Sequence, residues 1–113
     1  MEIARYAELV PFTTKDGSTI REYLHTDQQS LAEASLRPGQ TTQRHYHRLS
    51  EEIYLIIEGG GTMEVDEETV DVGPGDAILI PAGGWHELLA GADGARLLCC
   101  CVPAYTHDDT YFE

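Results

Sequence analysis

Between Asp16 and Val102 glycine, proline and aspartate interrupt the chain repeatedly, and no piece between these interruptions carries a helical apolar period over helical length. Asp16-Gly17, Pro38-Gly39, Gly73-Pro74-Gly75-Asp76, Ala82-Gly83-Gly84 and Gly91 to Gly94 are turn signals, and Gly59-Gly60-Gly61 is expected to break a strand. Strands of about four to eight residues fit between such turns, whereas amphipathic helices do not. The fold class that remains is an all-β sandwich or barrel.

In chain order, Met1 to Lys15 scatters Ile3, Leu9, Val10 and Phe12 around Pro11, as an edge strand with its leading loop would. Thr19 to His25 and Ser30 to Arg37 read as strands, and Ile53 to Ile57 has the length and β-branched content of a buried one. Met63 and Val65 alternate with Thr62, Glu64 and Asp66. Glu67-Glu68 then turns the chain, and Val70 and Val72 continue the apolar face. Ala77 to Ile80 ends at Pro81, Trp85 to Leu89 and Ala95 to Val102 are the last strands, and the tail after Val102 has no period.

A chain of 113 residues has the size of one domain, 1–113, able to fold without covalent staples. Cys99, Cys100 and Cys101 are consecutive, so in a strand they point to alternate faces and cannot build a disulfide framework. They read as reduced, small buried apolar residues. Reduced thiols, the lack of a membrane-length apolar run and the lack of a basic, apolar leader in MEIARYAELV lead to the expectation of a cytoplasmic protein. Twenty acidic residues face seven basic ones, for a net charge of −13, and Lys15 is the sole lysine. That surface repels phosphate backbones and anionic bilayers, which argues against nucleic acid and membrane partners.

The chemistry concentrates between Gly39 and Gly59. His45 and His47 are two apart in a strand, so their imidazoles share a face. Glu51 and Glu52 follow at the start of the next strand and bring a carboxylate beside them. Imidazole nitrogen and carboxylate oxygen are the usual ligands of first-row divalent metals. His86, at a strand start after the flexible Gly83-Gly84, could join them. Gln43 shares the parity of the two histidines and is a weak candidate for a hydrogen-bonding or catalytic role, as is Tyr54 for proton donation. Trp85 falls on the opposite parity from His86 and is expected to pack outside the pocket. His25 is read as an ordinary strand histidine, and His107-Asp108-Asp109 as solvated.

With these residues in place the chain resembles a small single-domain cupin, a compact antiparallel double-stranded β-helix or jelly-roll barrel. The family's first motif, G(x)5HxH(x)3-4E(x)6G, is matched by Gly39, His45, His47, Glu52 and Gly59. Its second, G(x)5PxG(x)2H(x)3N, is matched by Gly75, Pro81, Gly83 and His86, with Ala90 standing where the family has asparagine. The core motifs therefore occupy 39–59 and 75–90. The interval to Gly59 selects Glu52 over Glu51, and alternation then turns Tyr54 and Ile56 inward with it.

The resemblance implies one divalent transition metal per subunit, held by His45, His47, Glu52 and His86, with Fe, Mn, Ni, Co, Cu and Zn all open. The strand Ile53 to Ile57 is apolar on both faces, so its outer face needs cover from the N-terminal strand or from a second subunit, and the resemblance implies a homodimer paired sheet to sheet. Open coordination positions point to a metal-dependent enzyme on a small oxygen-bearing molecule, dioxygenase-like or sugar isomerase/epimerase-like. The alternative is a non-catalytic metal or small-ligand binding module, because fold does not choose among these.

Overall fold

The computed structural model describes residues 1–113, and the chain is almost wholly β. Nine strands form one curled antiparallel sheet: β1 (Phe12–Thr13), β2 (Thr19–His25), β3 (Ser30–Leu36), β4 (His45–His47), β5 (Glu51–Val65), β6 (Glu68–Val72), β7 (Ala77–Ile80), β8 (His86–Val102) and β9 (Thr110–Phe112). Two short 3₁₀ turns, Tyr6–Glu8 and His107–Asp109, are the only helical pieces. The expected all-β barrel is what forms.

The long strands β5 and β8 close the barrel. β8 pairs with β3 along Ala95–Cys101 and with β5 along most of its length, while β5 also carries β6 and β7. Gly59 to Gly61 do not end the strand as expected. β5 runs through them with register shifts at Ile56/Glu58 and Gly59/Gly61, and Gly91 to Gly94 lie within β8 but fall between the pairs Gly61↔Ala90 and Gly59↔Ala95. The physical reason is close backbone approach: a Cβ on Gly59, at φ +68°, would collide with the Gly94 carbonyl oxygen. Only glycine permits that approach and that backbone conformation together.

Two smaller expectations also shift. The β5–β6 hairpin turns on Asp66 and Glu67, both at positive φ, and Glu68 already begins β6. Strand β3 stops at Leu36, so Arg37 belongs to the turn before Gly39.

Inward-facing Ala34, Leu36, Tyr54, Ile56, Met63, Ile80, Leu88 and Leu97 make the core. Alternation on β5 buries Glu52, Tyr54 and Ile56 and leaves Glu51, Ile53 and Leu55 exposed, as the period of two requires. On the outer face of β3, Glu33 is fully buried: it accepts hydrogen bonds from Tyr6 Oη at 3.1 Å and Arg96 at 3.0 Å, with Arg21 at 3.5 Å. The N-terminal segment is thereby pinned over that face.

The tail is structured. Thr110–Phe112 adds β9 to the free edge of β4, pairing His45↔Phe112 and His47↔Thr110. Asp109, expected in solvent, is buried and accepts from the backbone N–H groups of Leu49 and Ser50 at 3.0 to 3.2 Å. His107 and Asp108 are exposed, as expected. Composition gave no hint of β9 because its register is set by contact with β4, which the tail's own residues do not encode.

Candidate metal centre

His45 and His47 point into the barrel from β4, and His86 faces them from the start of β8 as the Cα partner of His45. All three are buried, and their nearest ring nitrogens lie within 4.8 Å of one another. Each ring is oriented through its other nitrogen. His45 Nδ1 lies 2.7 Å from the Gln43 carbonyl oxygen and His86 Nδ1 lies 2.8 Å from that of Gly84. A carbonyl only accepts, so each Nδ1 is the donor. Thr110 Oγ1 donates to the Thr106 carbonyl and so accepts from His47 Nδ1 at 3.2 Å. In the neutral rings Nε2 is then the nitrogen that carries the lone pair.

Glu52 comes up from β5. Its Oε1 is 3.5 Å from Nε2 of both His47 and His86, while Oε2 accepts the thiol hydrogen of Cys101 at 3.2 Å. Glu52 Oε1 and His86 Nε2 are buried without a hydrogen-bond partner. Acceptor therefore faces acceptor in a site closed to solvent, a costly arrangement unless a cation sits between them. Three imidazole nitrogens and a carboxylate oxygen are a donor set that fits a first-row transition ion, and His45, His47 and His86 could hold one.

The electrostatics follow from burial and proximity. Burial lowers the pKa of His45 to about 4, with the neighbouring His86 adding to the effect against the Gln43 carbonyl. Burial also opposes charge on His47, but Glu52, with Asp109 adding to it, outweighs burial and raises that pKa. Glu52 feels burial pushing it up and the imidazoles of His47 and His86 pulling it down, and the imidazoles win. It stays ionised well below the usual carboxylate range.

A cavity of about 70 Å³ opens in front of these residues, room for several waters. Its walls come from β1 to β3, the inner faces of β5 and β8, and the tail. Tyr54 lines it, and burial holds its hydroxyl protonated far above the ordinary range. Gln43 does not line it: the residue is exposed, and its contribution is a backbone one, the carbonyl on His45 and the N–H on the Asp16 carbonyl at 2.9 Å. Thr42, one position earlier, faces the cavity in its place. Trp85 packs outside, edge-on to Tyr46 with centroids 4.6 Å apart.

Several residues around the site carried no local signal. Cys99 and Cys101 face the cavity, where burial drives both thiols upward in pKa, and neither lies in the histidine cluster. Tyr105 covers His47 edge-on at 5.7 Å, and Asp16 lines the cavity from the β1–β2 turn. Strand parity alone would have grouped Cys101 with Cys99 on one face. Nothing in sequence would have told which face was inside.

Comparison with known proteins bears on the family and the fold. The chain is 45% identical over 111 residues to the uncharacterized protein MJ1618 of Methanocaldococcus jannaschii, covering 93% of this chain and 89% of that one. It is 39% identical over 62 residues to the 5-aminosalicylate 1,2-dioxygenase of a Comamonas species, covering 55% of this chain and 16% of the enzyme. The structure of a Streptomyces PAC13 variant with uridine superposes with a TM-score of 0.86 at 18% identity, over 100% of this chain and 90% of that one. The Cupin domain family matches residues 32–101, a span holding both histidine motifs and most of the barrel, and the chain belongs to the cupin family.

Proposed function

We propose that His45, His47, His86 and Glu52 together hold one divalent transition metal per chain, and that the protein is a metal-dependent enzyme acting on a small oxygen-bearing molecule in the cavity. The observation that carries this reading is the cluster of three buried imidazoles, with Glu52 Oε1 3.5 Å from Nε2 of His47 and of His86 and no hydrogen-bond partner for Oε1 or His86 Nε2. When bound, the ion supplies Lewis acidity or oxygen activation. The chain's own residues orient and shield. Gln43, Gly84 and Thr110 fix the rings, Cys101 holds Glu52 Oε2, and Tyr54 presents a protonated hydroxyl to the cavity. Likeness to the dioxygenase is the reason to test oxygen chemistry first, with isomerisation of a sugar-like molecule beside it.

A second reading, a non-catalytic metal or small-ligand binding module, is favoured by one feature. The phenols and thiols facing the cavity, Tyr54, Cys99, Cys101 and Tyr105, are all pushed upward in pKa, so none of these four has the range of a general base at neutral pH. The exposed outer strip of Ile53, Leu55, Leu79 and Val102 supports a homodimer that covers it.

Copper-loaded protein tests the site through its EPR spectrum, with nitrogen hyperfine splitting from imidazole ligands expected. A spectrum without nitrogen coupling would overturn the assignment. Iron-loaded protein that consumes oxygen with catechols favours the enzyme, and metal-loaded protein that binds ligand without turnover favours the module.

A further inference from the structure

The cavity in front of the histidines has no cationic side chain on its walls. All seven basic residues of the chain lie elsewhere. Arg21 and Arg96 are committed to Glu33 on the outer face, Arg44 pairs with Glu64 and Glu113, and Lys15 is exposed and does not line the cavity. What does line it, besides apolar groups and hydroxyls, is negative: Asp16 and Glu22 join Glu52. A protein that recognises a carboxylate or phosphate normally supplies arginine, lysine or a helix N-terminus for it. None is present here.

Asp16 is half-buried on the cavity wall and held in place there. Its Oδ1 accepts from Thr14 Oγ1 at 2.6 Å, from Ser18 Oγ at 2.6 Å and from the Ser18 N–H at 2.9 Å. Those three donors fix the carboxylate plane and leave Oδ2 with no partner in the protein. The backbone is fixed as well, because the Gln43 N–H donates to the Asp16 carbonyl while the Gln43 carbonyl holds His45. The second carboxylate on this wall, Glu22, is tied through Oε2 to His25 at 3.2 Å. A rigid carboxylate oxygen accepts a hydroxyl hydrogen well and repels another carboxylate.

Resting on the metal reading above, we propose that the cavity takes an uncharged, hydroxyl-bearing small molecule that donates a hydroxyl to Asp16, and that Asp16 excludes molecules with a carboxylate or phosphate there. A site made to accept one hydroxyl discriminates against an apolar group, which leaves the acceptor unpaired, and against an anion, which faces like charge.

The test uses catechols that share one head and differ at the 4-position: 4-(hydroxymethyl)catechol, 3,4-dihydroxybenzoate and 4-(aminomethyl)catechol. Binding is read by titration calorimetry and by amide shifts at residues 14–18, on zinc-loaded and on metal-free protein, since the wall charge acts in both. The hydroxymethyl compound should bind at least about tenfold more tightly than the carboxylate. In Asp16→Asn, which keeps Oδ1 for its three donors, that ratio should fall to within about threefold, with zinc content unchanged. Equal or tighter binding of the carboxylate, an unchanged ratio in Asp16→Asn, or no binding of the hydroxymethyl compound would each overturn the proposal. So would tenfold preference for the aminomethyl compound, which would mark a cation site. Failure of the wild-type chain to take up metal overturns the metal reading alone, because the ratio is still measured on metal-free protein.

Discussion

Cys101 donates its thiol hydrogen to Glu52 at 3.2 Å, from the strand paired residue to residue with the one that carries the carboxylate. The bond occupies Oε2 and leaves Oε1 turned to the histidines, so the thiol orients the carboxylate. Groups that orient a metal ligand typically account for about tenfold to a hundredfold in affinity. Cys101→Ala should therefore weaken zinc binding by about tenfold or more in a chelator competition, while Cys101→Ser, which keeps a donor, should stay within about threefold. Cys100→Ser, on the other parity, should leave binding unchanged. An effect of Cys100→Ser as large as that of Cys101→Ala would mean that the thiol plays no such part.

Asp109 ties the tail to the loop after β4 by accepting from two backbone N–H groups. Asp109→Ala leaves the buried Ser50 N–H without its partner, at a cost of about 1–3 kcal/mol in urea unfolding. Zinc affinity should fall with it, because Thr110 sits next in the chain and holds His47. Retention of full stability would show that water or another acceptor serves Ser50 equally well.

Glu33 should matter to stability and not to metal. Its two arginines are partly exposed and can turn to solvent when it is removed, so Glu33→Ala should cost about 1–3 kcal/mol, below the full penalty of an abandoned buried charge. Zinc stoichiometry should be unaffected. Loss of metal in that variant would mean that the outer face and the site are coupled through β3.

His45 gives metal-free protein a pH signature. Its native pKa of about 4 lies below the unfolded value near 6.5, so between those values the unfolded chain binds a proton that the native state refuses. Stability from this group is present above pH ~6.5 and is lost as pH falls toward ~4, by up to about 3 kcal/mol. His47, raised in pKa, and Glu52, lowered, add slopes of their own, so wild type is compared with His45→Gln in urea titrations with a chelator present. The advantage of wild type over the variant should shrink from neutral pH to pH ~4. A constant difference would contradict a buried neutral His45.

The histidine site was legible where its logic is local. A two-residue spacing in a strand puts His45 and His47 on one face whatever the rest of the fold does, and the same alternation separates buried Glu52 from exposed Glu51. The passage of β5 through Gly59 to Gly61 was not legible, because those glycines answer to the carbonyl oxygens of Gly94, Val72 and Leu89 on the neighbouring strands. Asp16 was read as a turn residue, which it is. Its second role, on the cavity wall, depends on a turn folding back toward β4. Gln43 had the right parity for the cavity, but it precedes the strand, and its side chain does not follow the alternation that begins at His45.

The most direct measurement is metal content per chain, by elemental analysis of protein purified from its native host, for wild type, His47→Ala and Glu52→Ala. Wild type should carry about one transition-metal ion per chain, and each variant should fall well below half of that at equal folded fraction. Unchanged stoichiometry in both variants, or a metal-free wild type that stays empty when supplied with each of the six ions, would contradict a metal centre at His45, His47, His86 and Glu52.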